Sequence, residues 1–213
     1  MSDDARPALR PGVILDRDGT LIDVVRDEET GSVSVAFHPK QLRLLPGVID
    51  GLGLLAAAGY GFAIATNQPG PAKGQISVDA VERTNRALLE LLAEHGIVIA
   101  ALEVCLHHPS GGPGGDSRWV GECTCRKPKP GLLLNCIARA RFDVARTWMI
   151  GDSASDCQAA HAAGVRAALV FPLNRCELCP LRPPLAGENP GLPMTPELAA
   201  PRFDELARAI LRS

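Results

Sequence analysis

The sequence predicts an α/β fold, a doubly wound parallel sheet, from three observations. The 213 residues are 46% hydrophobic and 22% charged, an ordinary balance for one globular domain with a sizeable core. Short apolar runs alternate with helical patterns along the chain. Polar groups suited to chemistry stand at the carboxyl ends of four of those runs, where open α/β sheets form their sites.

The elements follow in order. Gly12–Asp16, "GVILD", reads as a buried strand. Residues 17–45 are irregular and partly strand-like in "SVSVAF". After Pro46, "GVIDGLGLLAAAG" reads as a helix ending at Gly59, and "YGFAIAT" as a second strand ending at Thr66. Ser77 suits an N-cap, with Asp79 in the first turn, of a long helix closing at Gly96, and Val78, Val81, Leu88 and Leu92 form its apolar stripe. "IAALEVCL" is a third strand. Pro130 suits the first position of a helix reaching about Arg141. "TWMI" is a fourth strand, "SASDCQAAHAAG" a helix and "RAALVF" a fifth strand. The core is expected over about 12–171. A Pro-rich tail, 172–213, follows, with a short helix near Arg202–Leu211.

Composition excludes several classes. A formal net charge of −2 offers no electrostatic footprint for nucleic acid or an acidic membrane. No apolar run reaches membrane-spanning length, and "MSDDARPALRPG" lacks the apolar segment of a secretory signal. The expectation is a cytoplasmic monomer acting on a small molecule. Seven cysteines then favour metal ligation or burial over disulfides. Cys136 and Cys157 sit in apolar helical contexts and read as core. Cys176 and Cys179, in "CELCP", form a CxxC without a second pair and read as buried or stray thiols.

Asp16 and Asp18, in "DRDGT", are two residues apart, so an extended backbone aims both to one side with Arg17 opposite. Two close carboxylates repel unless a cation or unlike protonation intervenes. A solvated acidic turn fits the motif too. A calcium loop does not, because Leu21 stands where its glycine belongs and Asp27 where its glutamate belongs. In "GDSASD", Asp152 and Asp156 lie one helical turn apart; acids there can cap a helix or supply a hard cation such as magnesium with oxygen. "ATNQPGPAKG" offers Thr66 and Asn67 as donors with exposed backbone at Gly70 and Gly74, suited to phosphate oxygens or to an ordinary turn. Arg126, Lys127 and Lys129, in "CRKPKPG", could balance carboxylates or phosphate.

Between the third strand and the next helix lies "CLHHPSGGPGGDSRWVGECTC". Cys105 and His107 are separated by one residue, as are Cys123 and Cys125, with fifteen residues between the pairs. Three thiolates and an imidazole make a closed tetrahedral zinc set with no position left for water, which points to a structural ion. The glycine run "GGPGG" suggests a loop over 105–125 too flexible to order itself without that ion. Lys127 stands two residues past the last ligand, so pinning Cys125 would place Arg126 and Lys127. His108 is a spare imidazole, either facing substrate or exposed.

Taken together, "LDRDGT", "ATNQ", the lysine of "RKPKP" and "IGDSASD" resemble the four motifs of the haloacid dehalogenase-like phosphatases, in order and spacing, over 12 to about 171. The resemblance implies a Rossmann-like core and a phosphoaspartyl mechanism. It makes Asp16 the nucleophile and a magnesium ligand. Asp18 becomes the general acid and then base, touching the metal through its backbone carbonyl. Thr66 and Lys127 hold the transferring phosphoryl, Asp152 is the second metal carboxylate and Asp156 its support. Thr20, Asn67, Arg126 and Lys127 complete the expected substrate contacts.

The zinc loop narrows the likeness to the branch of D-glycero-D-manno-heptose 1,7-bisphosphate 7-phosphatases and histidinol-phosphate phosphatases, which lack a separate cap domain. "HHP", "CRKPKPGLL" and "NQPGPAKG" lean toward the heptose enzymes, and the resemblance then directs Arg126 to the far phosphate of a sugar bisphosphate. Three features depart from that pattern. "IDVVRDEETGSVSVAFHPKQLR" is longer than usual and lacks the Asn and the Gly-Tyr-Val that commonly follow. Pro69 and Pro71 stiffen the second motif's loop. Ser153 stands where a lysine is frequent.

Overall fold

The computed structural model describes residues 8–26, 29, 31–171 and 195–213. Cys176, Cys179 and the Pro-rich stretch up to 194 lie outside these residues. The chain opens with β1 (Arg10–Leu15), and a small antiparallel hairpin follows, β2 (Val25–Arg26) with β3 (Val33–Ser34). Then come α1 (Val48–Ala57), β4 (Gly61–Asn67), α2 (Val78–Glu94), β5 (Ile99–Cys105) and α3 (Gly131–Ala140). The chain continues with β6 (Phe142–Gly151), α4 (Ala154–Ala163), β7 (Arg166–Val170), β8 (Leu198–Ala200) and α5 (Phe203–Ile210).

Among the described residues one sheet holds six strands in the order β5-β4-β1-β6-β7-β8, every neighbouring pair parallel. The chain steps outward from β1 to β5, then returns to the other side of β1 as β6. The gap between the ends of β1 and β6 is therefore the switch point, where such sheets open a crevice. Leu15 pairs with Ile150, which sets Asp16 beside Gly151 and Asp152.

Period-two alternation divides the core. Val13, Leu15, Phe62, Ile64, Trp148 and Ile150 face one side, where α1, α2 and α5 cover them. Ile14, Ala63, Ala65, Met149 and Leu169 face the other, against Leu132, Leu133 and Cys136 of α3 and Cys157 and Ala160 of α4. Strands buried on both faces explain the near-continuous apolar runs. Each fully buried Leu or Ile contributes on the order of 1.5–3 kcal/mol.

Several boundaries differ from the sequence reading. Ser77 caps α2 as expected, accepting from the Ala80 amide. Pro130 is the N-cap of α3 rather than its first residue. The fourth strand begins at Phe142, not Thr147, because register shifts between the Arg10–Phe142 and Gly12–Thr147 pairs. Phe142 lies over Gly12, where an added Cβ would meet the ring at 2.3 Å. A sixth strand, β8, extends the sheet beyond residue 171, and α5 returns to pack on α1. Gly47 and Gly51 admit it: Cβ atoms there would meet Asp204 at 2.2 Å and Phe203 at 2.6 Å. No helix among the described residues is long and apolar enough to cross a membrane.

Candidate active site

Asp16 leaves β1 with its amide donating to the Ile150 carbonyl at 2.9 Å. Lys127 reaches the same place from the loop ahead of α3. Its Nζ lies 2.8 Å from Asp16 Oδ1, 2.7 Å from Asp156 Oδ1 and 2.8 Å from the Ala65 carbonyl. Asp156 accepts at Oδ2 from the Asp152 and Ser153 amides and the Ser153 hydroxyl, at 3.3, 3.1 and 2.6 Å. The helix-cap and active-site readings of "GDSASD" therefore hold together: Asp156 closes the capping box of α4 and pairs with Lys127. Gly151 is required beneath it, since a Cβ there would meet Asp156 at 2.3 Å.

Carboxylate oxygens of Asp16, Asp152 and Asp156 lie within 4.8 Å of one another. Burial raises the Asp16 pKa to about 6, with the charges of Asp156 and Asp18 adding to it against the pull of Lys127. Burial, then Asp156 and Asp16, holds Asp152 well above the usual carboxylate range. Burial opposes the charge on Lys127, yet Asp156 and Asp16 keep its ammonium above its ordinary range. A single lysine thus faces three crowded carboxylates. An all-oxygen set left under-neutralised in this way fits a hard divalent cation such as magnesium.

Asp18 differs from the expectation in one respect. Arg17 does not point opposite it. Beyond Leu15 the backbone leaves the strand and turns, with the Leu21 and Ile22 amides donating to the Arg17 carbonyl and Gly19 at φ 84°. The wholly buried Arg17 side chain folds onto Asp18, Nε to Oδ2 at 2.9 Å and Nη2 to Oδ1 at 3.1 Å. Gln68 Nε2, also buried, donates to Asp18 Oδ2 at 2.7 Å and to Thr66 Oγ1 at 2.9 Å. Thr66 Oγ1 thus accepts one hydrogen bond from Gln68, and its own hydrogen can donate to an anion. Arg17 and Gln68 stood in quoted motifs without a role; a charged residue between two aspartates at a strand end was the available signal.

A cavity of about 170 Å³ opens over this centre, lined by Asp16, Asp18, Thr66, Asn67, Lys127 and Asp156. Val35 borders it from the segment after β3, and Ser153 and Ser155 from α4. Asn67 lines the cavity, but its carboxamide pairs with the Lys127 backbone, Nδ2 to carbonyl at 3.0 Å and amide to Oδ1 at 3.1 Å. It holds the lysine in place. Thr20 is wholly buried and does not line the cavity. Arg126 lies outside that lining, with Nη1 donating to the His107 carbonyl at 3.2 Å.

The second cluster is Cys105, His107, Cys123 and Cys125. Cys105 Sγ lies 3.7 Å from Cys123 Sγ and 3.2 Å from Cys125 Sγ, and His107 Nδ1 lies 3.8 and 3.7 Å from Cys105 and Cys125. A zinc tetrahedron with Zn–S of about 2.3 Å sets its sulfurs about 3.8 Å apart, so the four atoms fit that ion. Burial and the neighbouring Cys125 hold the Cys105 thiol far above its usual range, a crowding that a cation relieves.

The glycine run has a different basis from the flexibility expected of it. Cβ atoms at Gly74, Gly112 and Gly115 would meet Pro113 O at 2.3 Å, Lys73 O at 2.7 Å and Ala72 O at 1.9 Å. The 70–74 and 111–116 loops meet backbone to backbone, tied by the Asp116 amide donating to Pro71 O at 3.0 Å. His108 joins this layer; partial burial and the charges of Lys73 and Arg126 lower its pKa.

Comparison with known proteins agrees with this geometry. The HAD-hydrolase-like family model matches residues 124–171. The D-glycero-beta-D-manno-heptose-1,7-bisphosphate 7-phosphatase of Rhodopseudomonas palustris is 38% identical over 156 residues, 73% of this chain and 81% of that protein. The chain belongs to the haloacid dehalogenase-like phosphatases. It is accordingly an enzyme, a phosphoric monoester hydrolase. A second phosphatase relative, the D-glycero-D-manno-heptose-1,7-bisphosphate 7-phosphatase of Thermosynechococcus vestitus, is 37% identical over 76% of this chain and 79% of its own. Among solved haloacid dehalogenase-like phosphatases, the D,D-heptose 1,7-bisphosphate phosphatase of B. bronchiseptica, complexed with magnesium and phosphate, superposes with a TM-score of 0.70. It has 28% identity and covers 95% of this chain and 98% of its own.

Proposed function

We propose that this phosphatase removes the 7-phosphate of D-glycero-D-manno-heptose 1,7-bisphosphate, with magnesium, through an aspartyl-phosphate on Asp16. The observation that carries the reading is Lys127 bridging Asp16 and Asp156 at 2.8 and 2.7 Å on the floor of an open cavity, beside Asp152. The heptose bisphosphate relatives at 38% and 37% identity supply the substrate class.

In this reading an Asp16 carboxylate oxygen attacks phosphorus and the bond to the sugar oxygen breaks. Asp18 gives that oxygen its proton. Water then attacks the phosphoryl, Asp18 takes the proton back, and Asp16 is released with inorganic phosphate. Lys127 and the free Thr66 hydroxyl hydrogen hold the phosphoryl oxygens. Asp16, Asp152 and the Asp18 carbonyl would hold magnesium, with Asp156 in support; bound there, the ion neutralises charge on the transferring group. Cys105, His107, Cys123 and Cys125 would hold a structural zinc that fixes Arg126 and Lys127, with Arg126 directed to the far phosphate. Monoester hydrolysis can need accelerations up to about 10²¹-fold, which no one of these groups supplies alone.

The long segment ahead of α1 keeps histidinol phosphate as the rival substrate, since Val35 of that segment borders the cavity. Initial phosphate release with magnesium, measured in parallel on the two compounds, decides between them. The heptose bisphosphate is expected to give the larger kcat/KM, within about 10⁴–10⁸ M⁻¹s⁻¹. A preference for histidinol phosphate would overturn the substrate and leave the phosphatase.

A further inference from the structure

We infer that Arg17 is a positioning residue: its guanidinium fixes the carboxylate of Asp18 and couples it to the segment that overhangs the cavity. The inference rests on the reading of Asp18 as the proton-transfer group.

Arg17 is wholly buried, and a buried charge is costly unless paired. Among the described residues it donates four hydrogen bonds, all to protein oxygens. Two form a fork on Asp18, Nε to Oδ2 at 2.9 Å and Nη2 to Oδ1 at 3.1 Å. A fork of this kind fixes the plane of a carboxylate as well as its place. Nη1 donates to Asn85 Oδ1 of α2 at 2.7 Å, which anchors the guanidinium in the sheet's helical layer. Nη2 also donates to the Ala36 carbonyl at 3.0 Å, and the Ala36 amide donates to Asp18 Oδ1 at 3.3 Å. Ala36 is buried and follows Val35, which borders the cavity.

Arg17, Asp18 and Ala36 therefore close a small ring in which the overhanging segment and the carboxylate hold each other. Gln68 completes the restraint from the opposite loop at 2.7 Å. With donors on both oxygens, Asp18 has one orientation while the segment is seated. A lysine at 17 could keep the charge but not the fork.

The test compares kcat and KM for Arg17→Lys, Arg17→Ala, Asp18→Asn and the Arg17→Ala/Asp18→Asn double variant. Two esters are used with magnesium: a sugar phosphate, whose leaving oxygen needs a proton, and p-nitrophenyl phosphate, whose leaving group does not. Arg17→Lys is expected to lower kcat on the sugar phosphate by roughly 10–10²-fold with KM nearly unchanged, the scale of a catalytic group misplaced by about 1 Å. First-turnover release of p-nitrophenolate should change little. Because Arg17 acts through Asp18, the double variant should be no slower than Asp18→Asn. Should Arg17→Ala fail to fold, Asn85→Ala, which removes only the anchor, is expected to give the same leaving-group pattern more weakly. Equal losses on both esters, or a further loss in the Asp18→Asn background as large as in wild type, would overturn the role and leave Arg17 structural. An Asp18→Asn enzyme of near wild-type activity would instead overturn the reading of Asp18, a distinct result.

Discussion

Two clusters of side chains suited to holding an ion lie two residues apart along the chain, one ending at Cys125 and the other containing Lys127, and they are built on opposite plans. The thiol cluster is complete. Its four ligand atoms approximate a tetrahedron, Cys105 is fully buried, and Cys123 and Cys125 pack against the apolar layer under α3. The carboxylate cluster opens on a cavity. Asp16, Asp152 and Asp156 gather with an ammonium among them and a cavity of about 170 Å³ in front. A closed set leaves an ion nothing to do but hold the chain, whereas an open set leaves room for substrate. What separates the two clusters is the cavity in front of the carboxylates and the ammonium among them.

Asp16→Asn tests the open site most severely. It removes the proposed nucleophile while preserving shape, and kcat should fall on the order of 10⁴–10⁶-fold, the scale seen when a nucleophile is deleted. Zinc content by metal analysis and the melting temperature should stay at wild-type values, since Asp16 touches neither the thiol cluster nor the apolar layers. Activity within tenfold of wild type would reassign the nucleophile.

Cys125→Ser attacks the closed site and should show the reverse pattern. Zinc per chain should drop well below one. The melting temperature should fall by roughly 5–10 °C, from a loss of about 2–3 kcal/mol at about 2–4 °C for each. Turnover should also fall, on the order of 10²-fold, because the backbone that presents Lys127 to Asp16 is anchored at Cys125 and by Asn67. Unchanged zinc and unchanged melting would remove the structural ion from the account.

Most of the candidate site was legible because its parts are local. A strand end followed by "DRDGT" or "GDSASD" needs only the preceding apolar run to be placed, and α/β topology then brings such ends together. The long-range contacts of Arg17 and Asn67 were not legible. Each depends on a partner 60 or more positions away, Asn85 for Arg17 and the Lys127 backbone for Asn67. The edge strand β8 was missed for a similar reason: three residues carry too little pattern, and the sheet edge they complete lies far back in sequence. Its companion α5 left a trace in Gly47, the N-cap of α1, and Gly51 in the helix, two positions where an added Cβ would meet Asp204 and Phe203.

The glycines between the two ends of the thiol cluster mark the line between flexibility and fit, and two neighbouring substitutions draw it. Gly115 has no special φ, but a Cβ there would meet the Ala72 carbonyl at 1.9 Å, so Gly115→Ala must part the two loops. Gly114 has φ 71° and open space around its Cβ position, so Gly114→Ala strains only its own backbone. Both should cost stability, about 1–3 kcal/mol for the overpacked contact and about 1–2 kcal/mol for the left-handed residue. Activity distinguishes them. Gly115→Ala should lower kcat/KM by roughly 10-fold, since it displaces the loop that leads from Asn67 toward Lys73. Gly114→Ala should leave kcat/KM within about twofold, the size of a surface change that touches no working group. Zinc should remain bound in both, because neither residue is a ligand. Equal activity in the two variants would mean that the glycine run serves as slack between the zinc ligands; a loss confined to Gly115→Ala would make it a contact surface on which the second catalytic loop is seated.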